Sequence, residues 1–160
     1  MVPSARPDRL QLLLIEDNAG DVRLIREAFI TSGQNVDIAV ARDGVEALDY
    51  LRGSVSGGSA VRPDLILLDL NLPRKSGREV LREVKADDRL SAIPVVVLTT
   101  SAADEDISYS YQTHANTYII KPVNLDRLFE VIGSIGAYWS RVARLPGTVE
   151  VPPVTGGRFA

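Results

Sequence analysis

Cysteine is absent from the 160 residues, and histidine and tryptophan occur once each. Without thiols there is no disulfide framework and no thiolate metal site. The single histidine, His114, rules out histidine-rich metal centres and every Ser/His triad except one built on that residue. No apolar run approaches the ~20 residues of a membrane span. Met1 to Arg9 lacks the apolar stretch of a signal peptide, so the sequence predicts a cytoplasmic protein with no membrane partner. Positive charge is not in excess either: a net charge of −3 gives no basic face for nucleic acid. A helix-turn-helix pattern is missing from the tail, which has no room for one. Internal repeats and low-complexity tracts are also missing.

What remains is an ordinary globular composition, 45% apolar, in a chain of one-domain length. Four apolar runs of strand type end in reactive side chains. Leu12-Leu13-Leu14-Ile15 runs into Glu16-Asp17, and Leu65-Ile66-Leu67-Leu68 into Asp69. Val95-Val96-Val97-Leu98 runs into Thr99-Thr100-Ser101, and Tyr118-Ile119-Ile120 into Lys121-Pro122. Val36 to Val40 supplies one more strand. Between them lie helical spacings: Val22, Ile25, Ala28 and Phe29 before the stop at Ser32-Gly33; a capping box Asp43/Glu46 opening a helix to about Leu51; Val80, Leu81 and Val84 after Ser76-Gly77; and a weaker Ala103 to Thr113. The longest helix, capped by Asn124, carries the stripe Leu125, Leu128, Phe129, Ile132, Ile135, Gly136 and Trp139.

The order is (βα)₅, and continuous apolar strands imply a parallel sheet with helices on both faces. The flavodoxin-like strand order 2-1-3-4-5, borrowed from doubly wound folds, sets Glu16-Asp17 beside Asp69 at the carboxyl edge where such sheets bind ligands. Residues 1–9 read as a flexible lead, 10–144 as the domain, and 145–160 as an extended arm, because Pro146, Pro152 and Pro153 bar a helix. Gly53 to Pro63 reads as a flexible loop.

The acidic pair Glu16-Asp17, the run Asp69-Leu70-Asn71-Leu72-Pro73 with Gly77 four residues on, Thr99, and Lys121-Pro122 together resemble the receiver domain of two-component response regulators, over roughly residues 10 to 143. The fuller wording Asp69 to Leu81, the glycine-rich loop before the third strand, and Trp139 with Leu145-Pro146 are similar to the stand-alone phytochrome-associated regulators. The residues agree on chemical grounds. Three carboxylates in one cleft repel and call for a proton or a cation, and an all-oxygen ligand set suits Mg²⁺.

The resemblance implies that Asp17, Asp69 and the backbone carbonyl of Asn71 ligate the ion directly, with Glu16 acting through water. It implies that Asp69 is the nucleophile that accepts a phosphoryl group from a histidine kinase, of bacterial phytochrome type. A carboxylate needs no general base for this step, and Lys121 assists by neutralising charge. Thr99 is expected to bond a phosphoryl oxygen, with Thr100 and Ser101 nearby. Tyr118 is expected to report the event as a switch, and a cis bond at Lys121-Pro122 to turn the lysine inward. Kinase docking is expected on Leu24, Ile25, Pro122 and Val123.

Without an effector domain, output falls to protein association, and Val149, Val151 and Val154 in the arm suggest a homodimer. Two other functions compete. A haloacid-dehalogenase-type phosphatase needs a second Asp two residues after the nucleophile, where Asn71 stands. A receiver-like module that binds without phosphorylation would not need the full set Glu16, Asp17, Asp69, Thr99 and Lys121.

Overall fold

The computed structural model describes residues 9–146. Most of the expected flexible lead and nearly all of the expected arm, including Val149, Val151 and Val154, lie outside the described residues. The elements are β1 (Leu10–Ile15), α1 (Ala19–Thr31), β2 (Val36–Ala41), α2 (Gly44–Val55), β3 (Leu65–Leu68), α3 (Gly77–Ala86), β4 (Val95–Thr99), α4 (Asp104–Gln112), β5 (Thr117–Ile120) and α5 (Leu125–Ala137), followed by a π-helical turn, Tyr138–Val142. All strand pairs are parallel, and the sheet order is β2-β1-β3-β4-β5.

Strand alternation divides the core in two. Leu13, Ile15, Ile66, Leu68, Val95 and Val97 face α2 and α3, where Leu48, Leu51, Val80, Leu81 and Val84 complete one cluster. Leu12, Leu14, Leu65, Leu67, Val96 and Leu98 face α1 and α5, where Ile25, Phe29, Leu128 and Ile132 complete the other. The three inner strands β1, β3 and β4 are buried nearly throughout. β2 and β5 form the edges and are half-exposed; in β5, Ile120 is 46% exposed.

Local signals explain most boundaries. Asn18 caps α1 by accepting from the Asp21 amide, and Ser76 with Glu79 forms a reciprocal capping box at α3. The box expected at Asp43/Glu46 is only half made. Asp43 accepts from the Glu46 amide, but Glu46 turns back to the Arg42 amide instead of that of Asp43. α2 continues to Val55, past the expected end at Leu51, taking Gly53 out of the loop. In α5, Leu125 is 50% exposed and does not join the stripe. α4 stands apart from the other helices, because Ser110 is its one buried residue. Leu145 packs against the α1/α5 cluster just beyond the π-helical turn.

Candidate functional site

The carboxyl edge of the sheet gathers the reactive side chains as the sequence implied. Asp69 leaves β3 with its amide bonded to the Ile15 carbonyl of β1 (3.0 Å), and Glu16 leaves β1 with its amide on Ala41 of β2 (3.0 Å). The ladder therefore fixes both acids before any side chain contact is made. Glu16 and Asp69 are buried, 2% and 6% exposed, whereas Asp17 is exposed. Oxygens of Glu16, Asp17 and Asp69 lie within 4.8 Å of one another.

Lys121 fills the centre. Its Nζ donates to Glu16 Oε2 at 2.6 Å, Asp21 Oδ2 at 2.9 Å and Asp69 Oδ2 at 3.0 Å. The backbone sets the lysine in place by donating from its amide to the Thr99 carbonyl at 2.7 Å. No peptide bond among the described residues is cis. The cis Lys121-Pro122 bond expected from the resemblance is thus corrected, and the β4–β5 ladder and the three carboxylates direct the lysine inward instead. Asp21 was not anticipated from the sequence. Its signal was an acid one turn beyond Asp17, in the first turn of a helix whose N-terminus opens on the cleft.

The electrostatics follow from burial and pairing. Burial pushes the Glu16 carboxyl up from 4.5 to about 7, against its bond from Lys121, with the neighbouring Asp69 adding to the rise. Asp69 is also desolvated. There the Asn71 amide (3.0 Å to Oδ1), Glu16 and Lys121 outweigh burial and hold it below the usual carboxylate range. Burial would lower Lys121, but the carboxylates around it keep its ammonium above the ordinary lysine value. Four carboxylates thus face one ammonium, and the excess negative charge together with an all-oxygen donor set fits a hard divalent cation.

Gly77 seals the loop beneath the site. A Cβ at this position would overlap the Asp69 carbonyl oxygen and the Leu70 Cα, and its amide bonds the Leu70 carbonyl at 2.9 Å. Only glycine lets α3 start this close to the acid.

On the other face, Thr99 is fully buried, Thr100 is exposed and Ser101 is half-buried. Tyr118 is half-buried with its hydroxyl donating to the Ser101 carbonyl at 2.9 Å, so it lies over the β4–α4 loop. Tyr111 accepts from the Tyr118 amide, while Tyr109 turns away to the Arg78 carbonyl of α3. His114 has a left-handed backbone in the turn after α4 and is exposed. Val123 is fully exposed, Pro122 is half-buried, and Leu24 is half-buried and packs against the α1/α5 cluster. Ile25 is 1% exposed, which corrects its expected place on the docking surface: its side chain is a core residue beneath α1.

No helix among the described residues is long and apolar enough to cross a membrane. Residues 12–133 match the response regulator receiver domain family. Response regulator Rcp1 of Synechocystis sp. is 44% identical over 135 residues, covering 84% of this chain and 92% of that protein. The structure of the phosphorylated cyanobacterial phytochrome response regulator RcpA superposes with a TM-score of 0.82 at 49% identity, covering 87% of this chain and 99% of that one. The Mn²⁺-bound form of Rcp1 gives a TM-score of 0.79 at 42% identity, covering 86% and 99%.

Proposed function

Because the chain belongs to the response regulator receiver domain family, we propose that it is a stand-alone phosphoacceptor in a two-component system, with Asp69 as the acceptor. The observation that carries this reading is the Asp69 carboxylate at the end of β3, kept ionised and 3.0 Å from the Lys121 ammonium.

In the transfer step an Asp69 oxygen bonds to phosphorus as the P–N bond of a partner's phosphohistidine breaks, and the electron pair leaves with the imidazole. The carboxylate is already charged and needs no base. Lys121 offsets charge on the phosphoryl oxygens, and the Thr99 hydroxyl donates to one of them. Asp17, Asp69 and the Asn71 carbonyl would hold Mg²⁺ directly, with Glu16 through water. The ion would supply neutralisation of the transferring group. Tyr118 then carries the change to the α4 side, as the side chain bonded to the loop next to Thr99.

The kinase partner is of phytochrome type, a reading supported by the name of the similar RcpA. It docks on the rim formed by Leu24, Pro122 and Val123. Residues 10–144 form the receiver, the protein works in the cytoplasm, and its output is protein association through a homodimer. The stand-alone reading rests on the relatives' lengths, of which this chain covers 92% and 99%.

Intact mass after incubation with acetyl phosphate, with and without chelator, tests the core of the proposal. One added phosphoryl is expected, dependent on Mg²⁺ and absent from Asp69→Asn. Labelling of Asp69→Asn, or full labelling in chelator, would overturn it.

A further inference from the structure

A lysine ammonium has three protons to donate, and Lys121 commits all of them: to Glu16 Oε2, Asp21 Oδ2 and Asp69 Oδ2. The three acceptors are not equivalent. Glu16 and Asp69 belong, with Asp17, to the carboxylates whose oxygens converge within 4.8 Å, a set that does not include Asp21. Glu16 and Asp69 follow directly on β1 and β3, whereas Asp21 comes from the first turn of α1. Its backbone is fixed there. The Asp21 amide donates to the Asn18 cap at 2.9 Å, and the next residue, Val22, is buried in the α1/α5 cluster.

Under the proposed transfer the other two bonds of the ammonium are exchanged. As an Asp69 oxygen bonds to phosphorus, the negative charge that Lys121 faces on Asp69 passes to the phosphoryl oxygens. Glu16 is part of the oxygen set that fits a cation, so its bond to the lysine weakens when that set is filled. The Asp21 bond is the one the chemistry leaves alone. An ammonium is a compact charge on a flexible four-carbon stem, and one lasting bond limits where it can swing.

We propose that Asp21 is a positioning residue for phosphoryl transfer, an anchor on α1 that keeps the Lys121 ammonium beside Asp69 while its bonds to Glu16 and Asp69 are exchanged. The proposal rests on Asp69 being the phosphoacceptor. The competing role for an acid in a helix's first turn is to complement the helix dipole. That role would act through charge on α1 alone and leave the lysine as it was.

Two readouts on wild type, Asp21→Ala and Asp21→Asn separate these roles. The first is the rate of labelling by acetyl phosphate at saturating Mg²⁺, followed by intact mass: an Asp69 oxygen bonds to phosphorus as the bond from phosphorus to the acetate oxygen breaks, and acetate leaves with the electron pair. Asp21→Ala is expected to label about tenfold more slowly, the low end for a hydrogen bond to a charged group because the Asp21 side chain is 36% exposed. Asp21→Asn keeps an oxygen for the ammonium and should stay within about threefold of wild type. The second readout needs neither metal nor phosphoryl group. The chain has three lysines, Lys75, Lys85 and Lys121, so lysine-specific ¹⁵N labelling resolves the Lys121 ammonium by NMR in chelator. Its protons should exchange with water at least about fivefold faster in Asp21→Ala, while the signals of Lys75 and Lys85 keep their rates. An unchanged labelling rate or unchanged Lys121 exchange in Asp21→Ala, a general quickening of all three lysines, or Asp21→Asn as slow as Asp21→Ala would overturn the proposal. Failure of wild type to label would instead overturn the assignment of Asp69 and leave the exchange comparison standing.

Discussion

In the metal-free protein, stability should fall as pH rises from about 5 to 8, with Glu16 as the cause. Its carboxyl is 2% exposed and raised from 4.5 to about 7, by burial first and by Asp69 beside it, with Lys121 opposing. An acid whose value rises on folding binds its proton more tightly in the folded chain. Its contribution is therefore complete below the unfolded value of 4.5 and is lost as pH climbs through about 7. A change of that size is worth on the order of 3 kcal/mol, a large part of the ~5–15 kcal/mol that holds a domain together. Asp69, lowered on folding, acts the opposite way. Its contribution is present above its unfolded value of 3.8 and disappears only as pH falls through the lower folded one, outside this window. Urea denaturation in chelator, in half-unit steps from about pH 4.5 to 8, reads the slope. Glu16→Gln keeps the volume and an acceptor for Lys121 but cannot ionise, so its curve should be flatter. Saturating Mg²⁺ should flatten the wild-type curve by binding the ionised folded cluster. A wild-type curve with no fall between about pH 5 and 8, or a full fall in Glu16→Gln, would refute the reasoning.

Gly77→Ala should cost about 1–3 kcal/mol and slow phosphoryl labelling, because the added Cβ overlaps the Asp69 carbonyl; wild-type melting and labelling would show that the loop yields freely. Leu24→Glu should cut transfer from a phosphorylated kinase at least tenfold, about 1.4 kcal/mol of docking, while leaving acetyl phosphate labelling intact. Equal loss with both donors would mean the site itself was damaged. Removing residues 147–160 should convert a dimer to a monomer in light scattering while sparing Leu145, which packs on the core. A truncated chain that stays dimeric would place the interface on the described domain.

The sheet was legible because β1, β3 and β4 are buried on both faces and so read as unbroken apolar runs ending in Glu16, Asp69 and Thr99. Strand order was not readable from those runs and came from likeness to known folds. Asp21 was missed because an acid in a helix's first turn is usually a response to the helix dipole, and nothing local marks the one that reaches a lysine 100 residues away. Ile25 was misplaced because neighbours on a helix differ by ~100° in direction: Leu24 is half-buried at the margin of the α1/α5 cluster while Ile25 points into the core. The half-made box at Asp43 and the trans bond at Pro122 have a common lesson. A local pattern names the residues involved but not their partners: Glu46 takes the Arg42 amide instead of that of Asp43, and the Lys121 amide is held by the Thr99 carbonyl of β4.

The division of the core by the sheet has an evolutionary side. Lys121 meets α1 through Asp21, while Tyr118 packs against the cluster on the face covered by α2 and α3. The two apolar clusters share backbone but not side chains. Under the proposed function, with the kinase docking on the α1 side and the output on the α3/α4 side, substitutions on one side of this bulkhead would leave the packing of the other unchanged. Only the few residues at the carboxyl edge, where the wall ends and both compartments open on Asp69, are answerable to both.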